Sequence, residues 1–135
     1  MRVMALDHGE ARCGVAISDP TGTLATPVGA VARPDTRRGR AEIVRLARER
    51  EVGRVVVGLP LTLRGEEGPQ AARARAFAAT LAERLDVPVD LHDERLTTRQ
   101  AERSGGAADA DSRAAAHLLE SYLASSASAA TVSGR

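Results

Sequence analysis

Lysine is absent: all 19 basic residues of this 135-residue chain are arginine, set against 18 acids for a net charge of +1. Bulk charge therefore does not announce a polyanionic partner. Aromatic residues are nearly absent, Phe77 and Tyr122 alone, which argues against binding single strands by rows of stacking rings. A lone cysteine, Cys13, excludes an intramolecular disulfide framework and any multi-cysteine zinc site, so a reducing cytoplasm is the simplest expected setting. Its place in an alternating strand pattern suits a buried small apolar residue. No run approaches the roughly 20 apolar residues of a membrane helix, and Asp7 interrupts the stretch from Met1 too early for an export signal. Neither membrane nor export is expected. What is present is ordinary for one folded domain, 43% hydrophobic and 27% charged. Alanine supplies 26 residues of the hydrophobic set, so the core must be built from small and branched aliphatic side chains.

The first third reads as strands. Arg2 to His8 and Cys13 to Ser18 are short apolar runs close enough to form a hairpin, and Asp19, Pro20, Thr21 and Gly22 follow as a turn. Leu24 to Ala32 completes an antiparallel meander, with Pro27 favouring an edge or a bulge. The period then lengthens: Ile43, Leu46 and Ala47 mark an amphipathic helix over 37–51, for which Gly53 is a suitable terminator. Val55 to Leu59 is a continuous apolar strand. After the loop LTLRGEEG, Pro69 opens an alanine-rich helix to about Leu85. A strand from Val87 to His92 leads into DERLTTRQAE, a turn passing into a short helix broken by Gly105 and Gly106. A last helix runs from about Asp111 to Leu123, and the polar segment beyond is expected to be disordered. Three strands, then helix, strand, helix, strand, helix, with right-handed crossovers, imply an α/β fold: a mixed five-stranded sheet with helices on both faces, residues 1–125, and a disordered tail over 126–135.

Three sets of acids sit where chemistry is possible. Asp7 closes an apolar strand expected to be central, where an ionised carboxylate is costly unless compensated, although an aspartate before Gly9 is also an ordinary turn former. Asp93 and Glu94 end a strand parallel to the first, so one of them reaches the same sheet edge, the edge where open α/β sheets bind ligands. Asp111 precedes a helix, as a cap would, and could also face the other two. Carboxylates converging from separate elements repel one another unless hard cations hold them, and metals about 3.5–4 Å apart in such a set activate water and stabilise a departing phosphate-ester oxygen.

Four ordered motifs, LDHGEARCGVAISD, VVGLPLTLRGEEGP, DERLTT and DSRAAAHLLESYL, spread over residues 2–124, resemble the YqgF (RuvX-like) family of Holliday junction resolvases. The resemblance implies a ribonuclease H-like fold, which agrees with the element order, and a nuclease site using Mg²⁺ or Mn²⁺. It assigns Asp7, Glu94 and Asp111 as catalytic metal ligands. Asp109 is a rival, but SRAAAHLLESYL sets the family register on Asp111. The family's reach, as the resemblance implies it, includes junction resolution in DNA and maturation of the 5′ end of the pre-16S ribosomal RNA. Residues Ser104 to Ala110 form a shorter, less basic loop than the family commonly has before the closing aspartate, which reduces its expected part in gripping substrate.

Arg12 is a candidate phosphate fork, with a turn salt bridge to Glu10 or Asp19 as the alternative. Arg95, Thr97 and Thr98 are candidates for the sugar-phosphate backbone, a threonine cap on the next helix being the competing role. Gly65 and Gly68 shape a loop that is not a P-loop and lacks its lysine. The segment 33–54 carries eight arginines and four acids, read either as a solvated helix face or as a phosphate-facing patch. His8, His92 and His117 match no zinc spacing and are expected to be structural.

The leading expectation is a metal-dependent nuclease on branched DNA or structured RNA, acting as a homodimer on a junction with two strands to cut. A non-catalytic nucleic-acid-binding or assembly factor on the same fold is the alternative. A phosphotransferase, suggested by DxGxxRxGVA, would need a second nucleotide-enclosing domain that 135 residues do not supply.

Overall fold

A computed structural model describes residues 1–96, 107–125 and 130–132. Its strands are β1 (Arg2–His8), β2 (Arg12–Ser18), β3 (Ala25–Ala32), β4 (Val52–Leu59), β5 (Val89–Asp93) and β6 (Ala130–Val132). They form one sheet in the order β3-β2-β1-β4-β5-β6. Pairing is antiparallel from β1 through β2 to β3, parallel from β1 through β4 to β5, and antiparallel again at β6. The helices are α1 (Arg37–Glu49), α2 (Pro69–Arg84) and α3 (Ala107–Ser125).

The expected five-stranded mixed sheet is present, extended by one short strand. Residues 130–132 lie in the segment expected to be a disordered tail, yet they pair with β5, Val89 opposite Val132 and Leu91 opposite Ala130. Three residues are too few to show a period, and what holds them is the open edge of β5. Pro27 occupies the outer strand β3, and the ladder shifts register between Val15 and Ala16 opposite it, as a proline without an N–H requires.

Helix boundaries differ from the periodicity in instructive ways. α1 is capped by Thr36, whose hydroxyl accepts from the Gly39 amide at 3.1 Å. It ends at Glu49, and the left-handed turn that follows falls on Glu51, at φ 53°, rather than on Gly53, which lies inside β4. α3 begins four residues before Asp111, so Asp111 sits in the second turn and is not the cap.

Strand alternation sends side chains to two separate cores. Met4, Leu6, Val15 and Val57 pack with Ile43 of α1 and with Phe77 and Leu81 of α2. On the opposite face Val3, Ala5, Ala16 and Val56 meet Ala115, Leu118, Leu119 and Tyr122 of α3. The small side chains Ala5, Ala16 and Ala115 let α3 lie close to the sheet.

One buried charge fastens α3 to the sheet. Asp90, 2% exposed, accepts from the Tyr122 hydroxyl at 2.5 Å and from Arg54 at 2.7 Å, both at Oδ2. Burial, reinforced by the bond to Asp90, pushes the Tyr122 phenol up to about 12. His92 joins from the same face of β5, sharing a 2.9 Å hydrogen bond with Ser121 and meeting Tyr122 edge-on, and its burial lowers its pKa. Tyr122→Phe removes one hydrogen bond to a buried charge, so urea unfolding should show a loss of about 1.5–3 kcal/mol. A change below about 0.5 kcal/mol, the level of an ordinary surface substitution, would contradict this role.

Candidate active site

Asp7 follows Val3 and Ala5 on the α3 face of β1. It pairs with Gly14 of β2, and because Leu6 pairs with Val57, the next residue of β4 beside it is Gly58, itself opposite His92 of β5. Across four strands this face therefore reads Gly14, Asp7, Gly58, His92, an aspartate with a glycine on each side.

Both glycines make room for another acid. A Cβ on Gly14 would lie 1.9 Å from the backbone oxygen of Asp111, so α3 reaches the sheet at this point only because no side chain intervenes. A Cβ on Gly58 would lie 2.7 Å from both Cδ and Oε1 of Glu94. The Glu94 carboxylate thus lies over β4 on one flank of Asp7, and the second turn of α3 over β2 on the other. Adjacent strands are about 4.8 Å apart, which sets the scale of the convergence.

The Cys13 thiol, fully buried beneath this hairpin, registers the same charges. Its pKa is pushed well above the usual value, by burial first and then by Asp7, Asp35 and Asp111. His8 is tied down on the other face, its Nε2 2.9 and 3.0 Å from the two carboxylate oxygens of Asp35 and its ring 4.6 Å from Phe77. His117 is paired with Glu120 at 3.2 Å.

Asp7 and Glu94 share a cavity of about 440 Å³ whose walls also include Glu10, Gln70 and Arg73. Asp111 is not on that wall. Its Oδ2 accepts from Arg12 Nε at 2.7 Å. The expected turn partners of Arg12, Glu10 and Asp19, are replaced by an acid 99 positions away. Both side chains are substantially exposed, and a pair of this kind is worth about 0–1 kcal/mol, so it is readily exchanged for other partners.

The structure also separates Asp93 from Glu94. Asp93 accepts from Arg95 at 2.7 and 3.0 Å, and the guanidinium beside it holds its carboxyl below the usual range. Arg95 reaches on to the Leu63 carbonyl at 3.3 Å, bracing the loop after β4. Glu94, one residue further, opens a single 3₁₀ turn, Glu94–Leu96, and takes the cavity position. Thr97 and Thr98 lie outside the described residues, as do residues 104–106 of the short loop.

The donor chemistry suits a hard divalent cation, all carboxylate oxygen at the carboxyl ends of parallel strands. Among the described residues, no group of three or more His, Cys, Asp or Glu is arranged to hold a metal. The structure therefore assembles the Asp7–Glu94 pair, with Asp111 alongside on Arg12. Arg73, on the same cavity wall, belongs to no motif in the sequence; its one signal there is its place in the first turns of the helix after β4, at the ligand-binding edge of the sheet.

Among the described residues, no helix is long and apolar enough to cross a membrane. A family model described as RuvX, Holliday junction resolvase, matches residues 1–125. A curated relative from Chloroflexus aurantiacus (strain ATCC 29366 / DSM 635 / J-10-fl), provisionally named pre-16S rRNA nuclease, is 48% identical over 130 residues, 90% of this chain and 85% of the relative. One from Nocardioides sp. (strain ATCC BAA-499 / JS614), with the same provisional name, is 46% identical over 138 residues, 89% of this chain and 85% of its own length. The solved structure of Thermus thermophilus RuvC in complex with a Holliday junction substrate superposes with a TM-score of 0.62 at 17% identity, covering 98% of this chain and 99% of that one. At that identity the likeness speaks for the ribonuclease H-like fold.

Proposed function

Because the chain belongs to the RuvX family of Holliday junction resolvases, we propose that it is a nuclease hydrolysing phosphodiester bonds in four-way DNA junctions or in precursor 16S ribosomal RNA, with Mg²⁺ or Mn²⁺ as cofactor. The observation that carries this reading is the placement of Asp7 and Glu94 on one cavity wall, the Glu94 carboxylate lying against Gly58 on the strand beside Asp7. A bound divalent cation would supply Lewis-acid activation of water and of the departing oxygen. Asp7 and Glu94 would hold the cation, and Asp111 would be available as a third ligand if Arg12 exchanged it for a phosphate. Arg12 is thereby a substrate-binding residue at the rim. Arg95 would contact the sugar-phosphate backbone, as would the threonines Thr97 and Thr98 that follow it in the chain, positioning the strand without reading its sequence. No covalent enzyme intermediate would form: a water oxygen would bond to phosphorus as the bond to the leaving oxygen breaks, and the proton lost by the water would balance the one taken up by the leaving oxygen.

The test is cleavage mapping on matched DNA four-way junction, RNA junction and linear substrates, with Mg²⁺, Mn²⁺ or EDTA. Cuts at defined positions that require the metal are expected. Size and light-scattering measurements on the junction complex should find two copies, one for each strand to be cut. The Arg12–Asp111 pair favours a second reading, a binding or assembly factor in which Asp111 serves structure. Absence of cleavage on every substrate, together with tight, salt-dependent binding, would select it.

A further inference from the structure

We propose that Arg73 binds a backbone phosphate of the substrate inside the Asp7–Glu94 cavity. The assignment rests on the nuclease reading and adds a substrate-binding residue to it. Three guanidinium groups around this edge are paired with carboxylates, so each must exchange a partner to reach a phosphate. Arg12 donates to Asp111 at 2.7 Å, Arg95 holds Asp93 at 2.7 Å, and Arg75 forks onto Glu67 at 2.7 and 2.6 Å. Arg73 lines the cavity itself, and among the described residues it forms no hydrogen bond or ion pair.

The chemistry of the wall makes that cation necessary. A phosphodiester entering the cavity meets Asp7, Glu10 and Glu94, three groups of its own sign. Cations bound by the acids would offset part of that repulsion. A guanidinium on the same wall offsets more, and its planar fork matches two phosphate oxygens. Gln70, three residues earlier on the same helix face, presents an amide to the same space and can donate beside it. Arg75, two residues on, is turned away and bound to Glu67, so the two arginines form an internal control for charge without contact.

Binding of a fluorescent four-way DNA junction to the full chain in EDTA, followed by anisotropy over a salt series, separates the two. Arg73→Gln should weaken binding about tenfold and make the slope of log K against log salt shallower by about 0.9, the value for one lost phosphate contact. Arg73→Lys should restore the slope, and Arg75→Gln should match wild type. If wild type binds and Arg73→Gln matches it in affinity and slope, or if Arg75→Gln loses as much, the Arg73 assignment is overturned and the nuclease reading stands. The same series is run on a precursor 16S RNA fragment, and failure of wild type to bind either nucleic acid would overturn both.

Discussion

Asp7→Asn is expected to lower the rate of phosphodiester cleavage by about 10³-fold or more while leaving the protein folded. Several kcal/mol of transition-state stabilisation come from a cation held at the reacting phosphate, and about 4 kcal/mol corresponds to 10³ in rate. Asn keeps the size of the side chain and one acceptor oxygen but removes the charge that holds the cation. The fold does not depend on that charge: the strand is secured by Met4 and Leu6 on one face and by Val3 and Ala5 on the other. Glu94→Gln should behave alike. Steady-state cleavage of a four-way junction beside a thermal melt checks both halves. Wild-type rates in either folded variant would remove these residues from the site.

Alanine at the two glycines flanking Asp7 should fail in two different ways. At Gly14 the new Cβ would fall 1.9 Å from the Asp111 carbonyl oxygen, between backbone and backbone. Neither can yield locally, so α3 must lift from the sheet and expose Ala115, Leu118 and Leu119. Overpacking of this kind costs about 1–3 kcal/mol and occasionally more; with a helix displaced, the upper end or beyond is expected, together with loss of activity. At Gly58 the obstruction is the end of a side chain, Cδ and Oε1 of Glu94 at 2.7 Å. Glu94 can swing away, so Gly58→Ala should change stability by less than about 1 kcal/mol, within the range of mild substitutions. Its cleavage rate should nevertheless fall toward that of Glu94→Gln, because the carboxylate no longer lies beside Asp7. Urea unfolding and cleavage measured on both variants separate the cases. Equal destabilisation at the two positions would contradict the packing described, and full activity in Gly58→Ala would contradict the placement of Glu94.

These glycines mark the boundary of what could be read from the chain. A carboxylate closing an apolar run marked Asp7 as a candidate, but on that local signal alone an aspartate before Gly9 reads equally as a turn former, and the other acids had to weigh in. Periodicity alone did not separate Asp93 from Glu94, and only the resemblance of DERLTT pointed to Glu94, since the choice depends on the phase of β5 and on where the strand gives way to a 3₁₀ turn. In the structure Asp93 is committed to Arg95, while Glu94 lies against Gly58, the residue paired with His92. The pairing of Arg12 with Asp111 joins residues 99 positions apart, whereas local reasoning offered only turn neighbours. Gly14 and Gly58 look like any strand glycine until the strands beside Asp7 are known. Arg73 stayed hidden for the same reason, as the return of α2 to the strand ends is a property of the crossover. The meander, the two crossover helices and the final helix were legible because each repeats its period over enough residues; β6, three residues long, does not.

If Asp7 and Glu94 together form the cation site on which cleavage depends, metal binding must require both carboxylates. Calorimetric titration of Mn²⁺ into the full chain, compared with the Asp7→Asn, Glu94→Gln double variant, tests it without reliance on any substrate. Saturable binding in the wild-type protein, lost in a double variant that still folds, is the expected result. Equal Mn²⁺ binding by the two folded proteins would contradict it.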